Sequence, residues 1–206
     1  MSNQKPLVII GAGGHASVLL DILKQQNRKV IAYISPDTAT NKGLFAGIKH
    51  LQKDEDISQF TPEKIKLING IGHMPNSQLR AKIYQKFTEL GYQFSGVIAD
   101  SAIISSKASI ASCAQVLAGA IVQVGSVIGA NCIINTGAII EHDTLIGANV
   151  HMAPKTLVCG SSKIGQASFV GAGATIINNI NVGEYCVVAA GSCTVKNMPS
   201  HTFPSF

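Results

Sequence analysis

An apolar residue returns at every sixth position from Ile98 to Val188 without interruption, passing through Ile104, Ile110, Val116, Val122, Ile128, Ile134, Ile140, Ile146, Met152, Val158, Ile164, Val170, Ile176 and Val182. In a chain that is 46% hydrophobic, such a row arises by chance with odds of roughly a few in a million. A period of six fits neither a helical face, at about 3.6 residues, nor a coiled-coil seam, at about 3.5, and it is too short for helical repeats. It fits short strands joined at corners. Three residues after each apolar position the chain favours types that tolerate left-handed backbone: Gly119, Gly125, Asn131, Gly137, Asp143, Asn149, Gly173, Asn179 and Gly191. Four residues after, the side chain is usually small, as at Ala114, Ser126, Cys132, Ala138, Ser168 and Cys186, which suits the inside of a tight bend. The pairs Ile128-Gly129, Ile146-Gly147, Ile164-Gly165 and Val182-Gly183 recur at eighteen residues, so three hexads make one coil. Stacked at the strand spacing of about 4.8 Å, these coils predict a three-sided parallel β-helix with the apolar row inside.

The first half has a different rhythm. Leu7 to Ile10 is an apolar run, followed at once by Gly11-Ala12-Gly13-Gly14-His15 and then by Val18, Leu19, Ile22 and Leu23 at helical spacing. That order predicts strand, glycine turn and helix, an arrangement that brings backbone N–H groups and a helix N-terminus toward a phosphate. Further strands are expected at Val30 to Ile34, Lys66 to Ile71 and Tyr92 to Val97, with a helix over 76–90 capped by Asn76 or Ser77. Residues 40–60 show no clear pattern. The first 97 residues thus predict a small α/β domain, half-Rossmann-like, with a mainly parallel sheet. Its ligand should collect at the carboxyl ends of the strands near Gly13, Ser35 and Gly72. The β-helix should run over 98–195, and 196–206 should form a cap or tail.

Composition narrows the possibilities. Residues 1–97 hold twelve Lys/Arg against seven Asp/Glu, and residues 98–206 hold four against four, so the net charge of +5 belongs wholly to the first half. No basic run or aromatic-basic interleaving accompanies it, which argues against nucleic acid; a small anionic ligand or an ordinary solvated surface fits. The five cysteines all lie in the repeat, none in a Cys-x-x-Cys pair, favouring reduced thiols over disulfides or a metal site. No long uncharged apolar stretch suggests a membrane span, and the polar start runs straight into a strand, so a cytoplasmic protein is expected.

One corner departs from the small neutral pattern: Glu141-His142-Asp143 places two of the region's four acids beside a histidine, and His151 follows nine residues later. Imidazole with a neighbouring carboxylate suits a general base that takes a proton from an amine or hydroxyl attacking a thioester. Filling of a polar corner is the alternative. Cys159 as an acyl-carrying nucleophile lacks a His or acid beside it in sequence.

The repeat resembles the hexapeptide-repeat acyltransferases, whose helix is left-handed and whose subunits form trimers. Gly-x-Gly-Gly-His at 11–15, the Glu-His-Asp corner and His151 together resemble more narrowly the bacterial nucleotide-sugar acetyltransferases. That family includes UDP-4-amino-sugar N-acetyltransferases of bacillosamine synthesis, which are the nearest match, dTDP-4-amino-sugar enzymes and sialic acid O-acetyltransferases. The resemblance implies His142 as catalytic base supported by Asp143, although Glu141 remains open as its partner. It implies acetyl-CoA as co-substrate, contacted by His151 of an adjacent subunit and running along Ala172 and Ala190. It implies a nucleotide-sugar held by Gly13, Gly14, His15 and Gly72, a homotrimer, and no metal. Family members often carry paired acids where this chain has Ser35-Pro36, which leaves the nucleotide base open. The expected function is N-acetylation of a UDP- or dTDP-linked 4-amino-4,6-dideoxy sugar. O-acetylation of a sialic acid, a non-catalytic β-helix scaffold and a nicotinamide-binding reductase built on the glycine turn are the rivals.

Overall fold

The computed structural model describes residues 4–75 and 77–204, which fall into two compact units. One takes the chain up to Gly72 together with Leu79–Val97; the other takes His73–Gln78 together with Ile98 onward. In the first unit, β1 (Leu7–Ile10), β2 (Val30–Ile34), β3 (Lys49–Leu51) and β4 (Lys66–Asn69) form one sheet in the order β3-β2-β1-β4. All three pairings are parallel. Such a sheet buries both faces, and β1 is accordingly buried throughout.

Helix α1 (Gly14–Gln25) turns Ala16, Leu19, Leu20, Ile22 and Leu23 inward. It lies close to the sheet because Gly70 has no side chain: a Cβ there would stand 2.7 Å from the Ile10 carbonyl oxygen and 2.8 Å from the Ala16 Cβ. Helix α2 (Leu79–Glu89) starts three residues later than its apolar spacing predicts. Ser77 stands two positions before it, and Asn76 lies outside the described residues. The unpatterned stretch 40–60 holds β3 and a 3-10 turn over Asp54–Gln59, elements too short to show a period. The strand expected over 92–97 is reduced to a bridge between Phe94 and Leu67 and the two-residue strand Val97–Ile98. Tyr92 instead spends its hydroxyl on the Ile57 and Phe60 carbonyls.

The second unit is the three-sided parallel β-helix. Two-residue strands stack in register every eighteen residues, as Ile128 on Ile146, Ile146 on Ile164 and Ile164 on Val182. The apolar row fills the interior from Val116 to Val188, all of it buried. At the prism's first coils Ile98 is 41% exposed, where no earlier coil covers it.

Each corner named from its residue type has positive φ, from Gly119 to Gly191, and so do Lys155, Ser161, Ala167 and Tyr185 at the same phase. The turn imposes left-handed backbone on whatever residue occupies that slot. The small inward residues also have a polar task. Ser126, Ser162 and Ser168 donate their hydroxyls to carbonyls fifteen residues on, at Glu141, Ile177 and Gly183, satisfying backbone groups that the corner buries.

Candidate active site

The Glu141-His142-Asp143 corner has a defined internal geometry. His142 Nδ1 lies 2.9 Å from Asp143 Oδ2, and because a carboxylate only accepts, Nδ1 carries a proton and, in the neutral ring, Nε2 keeps its lone pair. Both side chains are more than half exposed, so a reactant can reach them. Asp143 sits in the left-handed slot at φ 58°, and its N–H is fixed by the Val124 carbonyl of the coil below. The rigid turn therefore presents the carboxylate to the preceding residue's ring. Burial, then the charge of Glu141 and then Cys193 push the Cys159 thiol up, which keeps it protonated and unsuited to attack.

His151 is held differently. It is buried on a strand of the prism, half a coil from His142 in sequence. The Thr136 N–H donates to Asn135 Oδ1 at 2.8 Å, which turns the Asn135 amide nitrogen toward His151 Nε2 at 3.0 Å. Nε2 must then accept, so the proton is on Nδ1, which donates to the His73 carbonyl at 3.1 Å. Aromatic packing completes the pocket: the His73 ring lies 5.9 Å from His151, and Phe169 meets it edge-on at 5.0 Å. Ala172 and Ala190 are exposed on another corner, stacked one coil apart, with the Gly191 N–H donating to the Ala172 carbonyl. Within one chain these positions are three separate places along the prism, with His151 buried and the other two exposed.

In the first unit the sheet topology gathers Gly13, Ser35 and Gly72, because each follows a neighbouring strand of one parallel sheet. The Thr40 N–H bonds back to the Ala12 carbonyl, folding the segment after β2 over the glycine turn. Gly72 lies 3.6 Å, as an added Cβ would, from the His15 Cβ. Gly13 and Gly14 face open space, with nothing within 4 Å of a Cβ built on either. Gly13 is the N-cap of α1 and supplies no side-chain cap, so the first N–H groups of that helix are directed at this opening. Ser35 donates its N–H to Leu51 and accepts from His50 Nε2 at 2.8 Å, with His50 stacked on Tyr33.

Several residues at these places were not singled out from sequence. Arg80 is buried and donates to the Asn69 and Ile71 carbonyls, fixing the backbone that leads to Gly72; a charge at an inward position of a helical pattern was its signal. His73, Asn135 and Phe169 carried none, because their meeting with His151 depends on the stacking of coils.

Comparison with known proteins places this geometry. Residues 6–87 match the PglD N-terminal domain. The crystal structure of PerB from Caulobacter crescentus in complex with CoA and GDP-perosamine superposes with a TM-score of 0.86 at 28% identity, covering 96% of this chain and 92% of that one. A variant of the same perosamine N-acetyltransferase, with one histidine replaced by asparagine, gives a TM-score of 0.87 at 28% identity and the same coverage. The acetyltransferase domain of PglB from Neisseria gonorrhoeae, in complex with acetyl coenzyme A, superposes with a TM-score of 0.87 at 27% identity over 98% of this chain and 96% of that one. With the α/β domain, the coiled prism and these enzymes aligned along nearly its whole length, the chain is similar throughout to nucleotide-sugar N-acetyltransferases, and it is an acyltransferase that joins a half-Rossmann-like domain to a left-handed parallel β-helix.

Proposed function

We propose that this protein transfers the acetyl group of acetyl-CoA to the amino group of a nucleotide-linked 4-amino-4,6-dideoxy sugar, with His142 as general base. The His142–Asp143 pair carries the reading: a ring with its proton fixed on Nδ1 and a bare, reachable Nε2. The amine nitrogen attacks the thioester carbonyl while Nε2 takes its proton. The tetrahedral intermediate then collapses, breaking the C–S bond, and the imidazolium returns a proton to the departing thiolate, giving an amide and free CoA. General base catalysis of this kind is worth about 10²- to 10⁴-fold. No cysteine is used, in keeping with the raised Cys159 thiol.

Gly13, Gly14, His15, Ser35 and Gly72 are the proposed nucleotide-sugar contacts, supported by the open space before the two glycines and the uncapped start of α1. His151, Ala172 and Ala190 are the proposed acetyl-CoA contacts, in a homotrimer whose neighbouring subunit supplies His151. The neighbours bind CoA, acetyl-CoA and GDP-perosamine, so GDP joins UDP and dTDP as a nucleotide to be tried. No helix among the described residues is long and apolar enough to cross a membrane, and we place the reaction in the cytoplasm, where acetyl-CoA is made.

The test is release of free CoA thiol when the protein is mixed with acetyl-CoA and a panel of UDP-, dTDP- and GDP-linked 4-amino sugars, with free sialic acid included. Release with an amino sugar, lost in His142→Ala while the fold is kept, is the expected result. Release with sialic acid alone would replace N- by O-acetylation, and full turnover in His142→Ala would remove the assigned base.

A further inference from the structure

The glycines of the β-helix divide by what a side chain would meet. At Gly129, Gly147, Gly165, Gly171 and Gly183 an added Cβ would stand 2.4–2.7 Å from backbone of the next coil; these glycines let the coils stack. At Gly119, Gly173 and Gly191 it would meet nothing within 4 Å, and positive φ alone explains the residue. Gly160 and Gly125 belong to neither group. A Cβ on Gly160 would lie 2.4 Å from His142 Nε2, 2.5 Å from Cε1 and 3.0 Å from Cδ2; one on Gly125 would lie 2.2 Å from Asp143 Oδ1.

The repeat makes Gly160 conspicuous. From Ala118 to Ala190 the first turn position of successive corners is filled by Ala, Val, Thr, His, Pro, Gln, Asn or Glu, and Gly160 is the one glycine in that series. It is one coil after His142, and its φ lies outside the left-handed region, so the backbone does not ask for glycine there. What asks for it is the imidazole, which lies flat over the missing side chain. Gly125 occupies the left-handed slot at φ 75°, where glycine is common, yet Ala167 holds the same slot at φ 56°.

We infer that Gly160 and Gly125 are positioning residues of the reaction: their missing side chains form the floor under the His142 ring and the wall behind the Asp143 carboxylate. The inference rests on the assignment of His142 as base. A methyl group at either place displaces the exposed end of a flexible side chain and leaves the backbone where it is. The prism survives while the Nδ1–Oδ2 bond is lost, and Nε2 no longer points where the amine arrives.

The experiment compares Gly160→Ala and Gly125→Ala with Gly119→Ala, which imposes the same left-handed alanine as Gly125→Ala without touching the dyad. Two readouts are used on the full-length protein. In nitrogen-15 spectra of the imidazoles, with the His142 signal identified by its loss in His142→Asn, wild type and Gly119→Ala should show the Nδ1–H tautomer, and both dyad variants a shift toward Nε2–H. In turnover, kcat should fall about 100-fold in Gly160→Ala, with the KM for acetyl-CoA and the melting temperature unchanged, and should stay at the wild-type value in Gly119→Ala. A Gly160→Ala protein with the wild-type tautomer and kcat within threefold of wild type overturns the inference. Should wild type prove inactive on every amino sugar, the proposed reaction fails while the tautomer comparison still decides the positioning.

Discussion

The dyad offers a substitution whose cost can be worked out beforehand. Asp143→Asn keeps the size of the side chain and the left-handed corner, since Asn131, Asn149 and Asn179 hold the same slot at φ 56–61°; folding should not change. What is lost is the negative charge 2.9 Å from Nδ1 at the moment the ring becomes imidazolium. Unit charges about 4 Å apart attract by about 1 kcal/mol in water and about 4 kcal/mol near a protein surface. With side chains 55% and 65% exposed, the lower part of that range applies, about 1–2 kcal/mol. At about 1.4 kcal/mol per decade, kcat should fall about five- to thirtyfold, with the acetyl-CoA KM and melting temperature at wild-type values. The assay is initial-rate CoA thiol release with the active amino sugar. Glu141→Gln is the paired control, expected within about twofold of wild type, because the hydrogen bond to the ring's Nδ1 comes from Asp143. A wild-type kcat in Asp143→Asn, or a loss confined to Glu141→Gln, would refute the assignment of Asp143 as the supporting acid.

Three further outcomes are expected. Ile140→Ala removes a fully buried side chain stacked between Val122 and Val158 and should cost about 2–5 kcal/mol in urea unfolding; Ile103→Ala, at a 64% exposed position, should stay within about 0.5 kcal/mol. Asn135→Asp replaces the amide that donates to His151 Nε2 with a group that only accepts, so the ring must turn or carry a proton on Nε2, and its nitrogen-15 imidazole signals should lose the wild-type Nδ1–H pattern. The Cys159 thiol, raised by burial and then by Glu141 and Cys193, holds its proton longer folded than unfolded. Stability should be flat in pH below the unfolded thiol's value of about 8.5 and fall as pH rises from there through the folded value. Cys159→Ser should remove that part of the slope, and iodoacetamide at pH 8 should modify the exposed Cys193 first.

The prism was legible because its physics is local and repetitive. Each coil needs one inward apolar side chain per face, one residue in a left-handed turn and one small residue beneath it, and the same demand recurs every six positions. That is why the phase of the row predicted corners such as Gly119 and Asn179. Even Lys155 and Tyr185, whose types gave no hint, took left-handed backbone through their phase. In the first unit, Leu7–Ile10 and Val30–Ile34 were readable as continuous apolar runs because a parallel sheet buries both faces. Lys49–Leu51 was not, since three residues show no period.

The sequence by itself determined the six-residue repeat, the glycine turn ahead of α1 and the presence of an acid–histidine–acid corner, because each is written in residues adjacent or evenly spaced along the chain. Only the tertiary structure decided that Asp143 meets the histidine, that Asn135 and His73 set the tautomer of His151, and that Gly160 and Gly125 leave room for the dyad. The last two relations join residues on different coils or from outside the repeat, and the first depends on how two adjacent side chains turn at one corner. Side-chain direction at a corner is set by packing across about 4.8 Å between stacked strands, a distance that eighteen residues of sequence conceal.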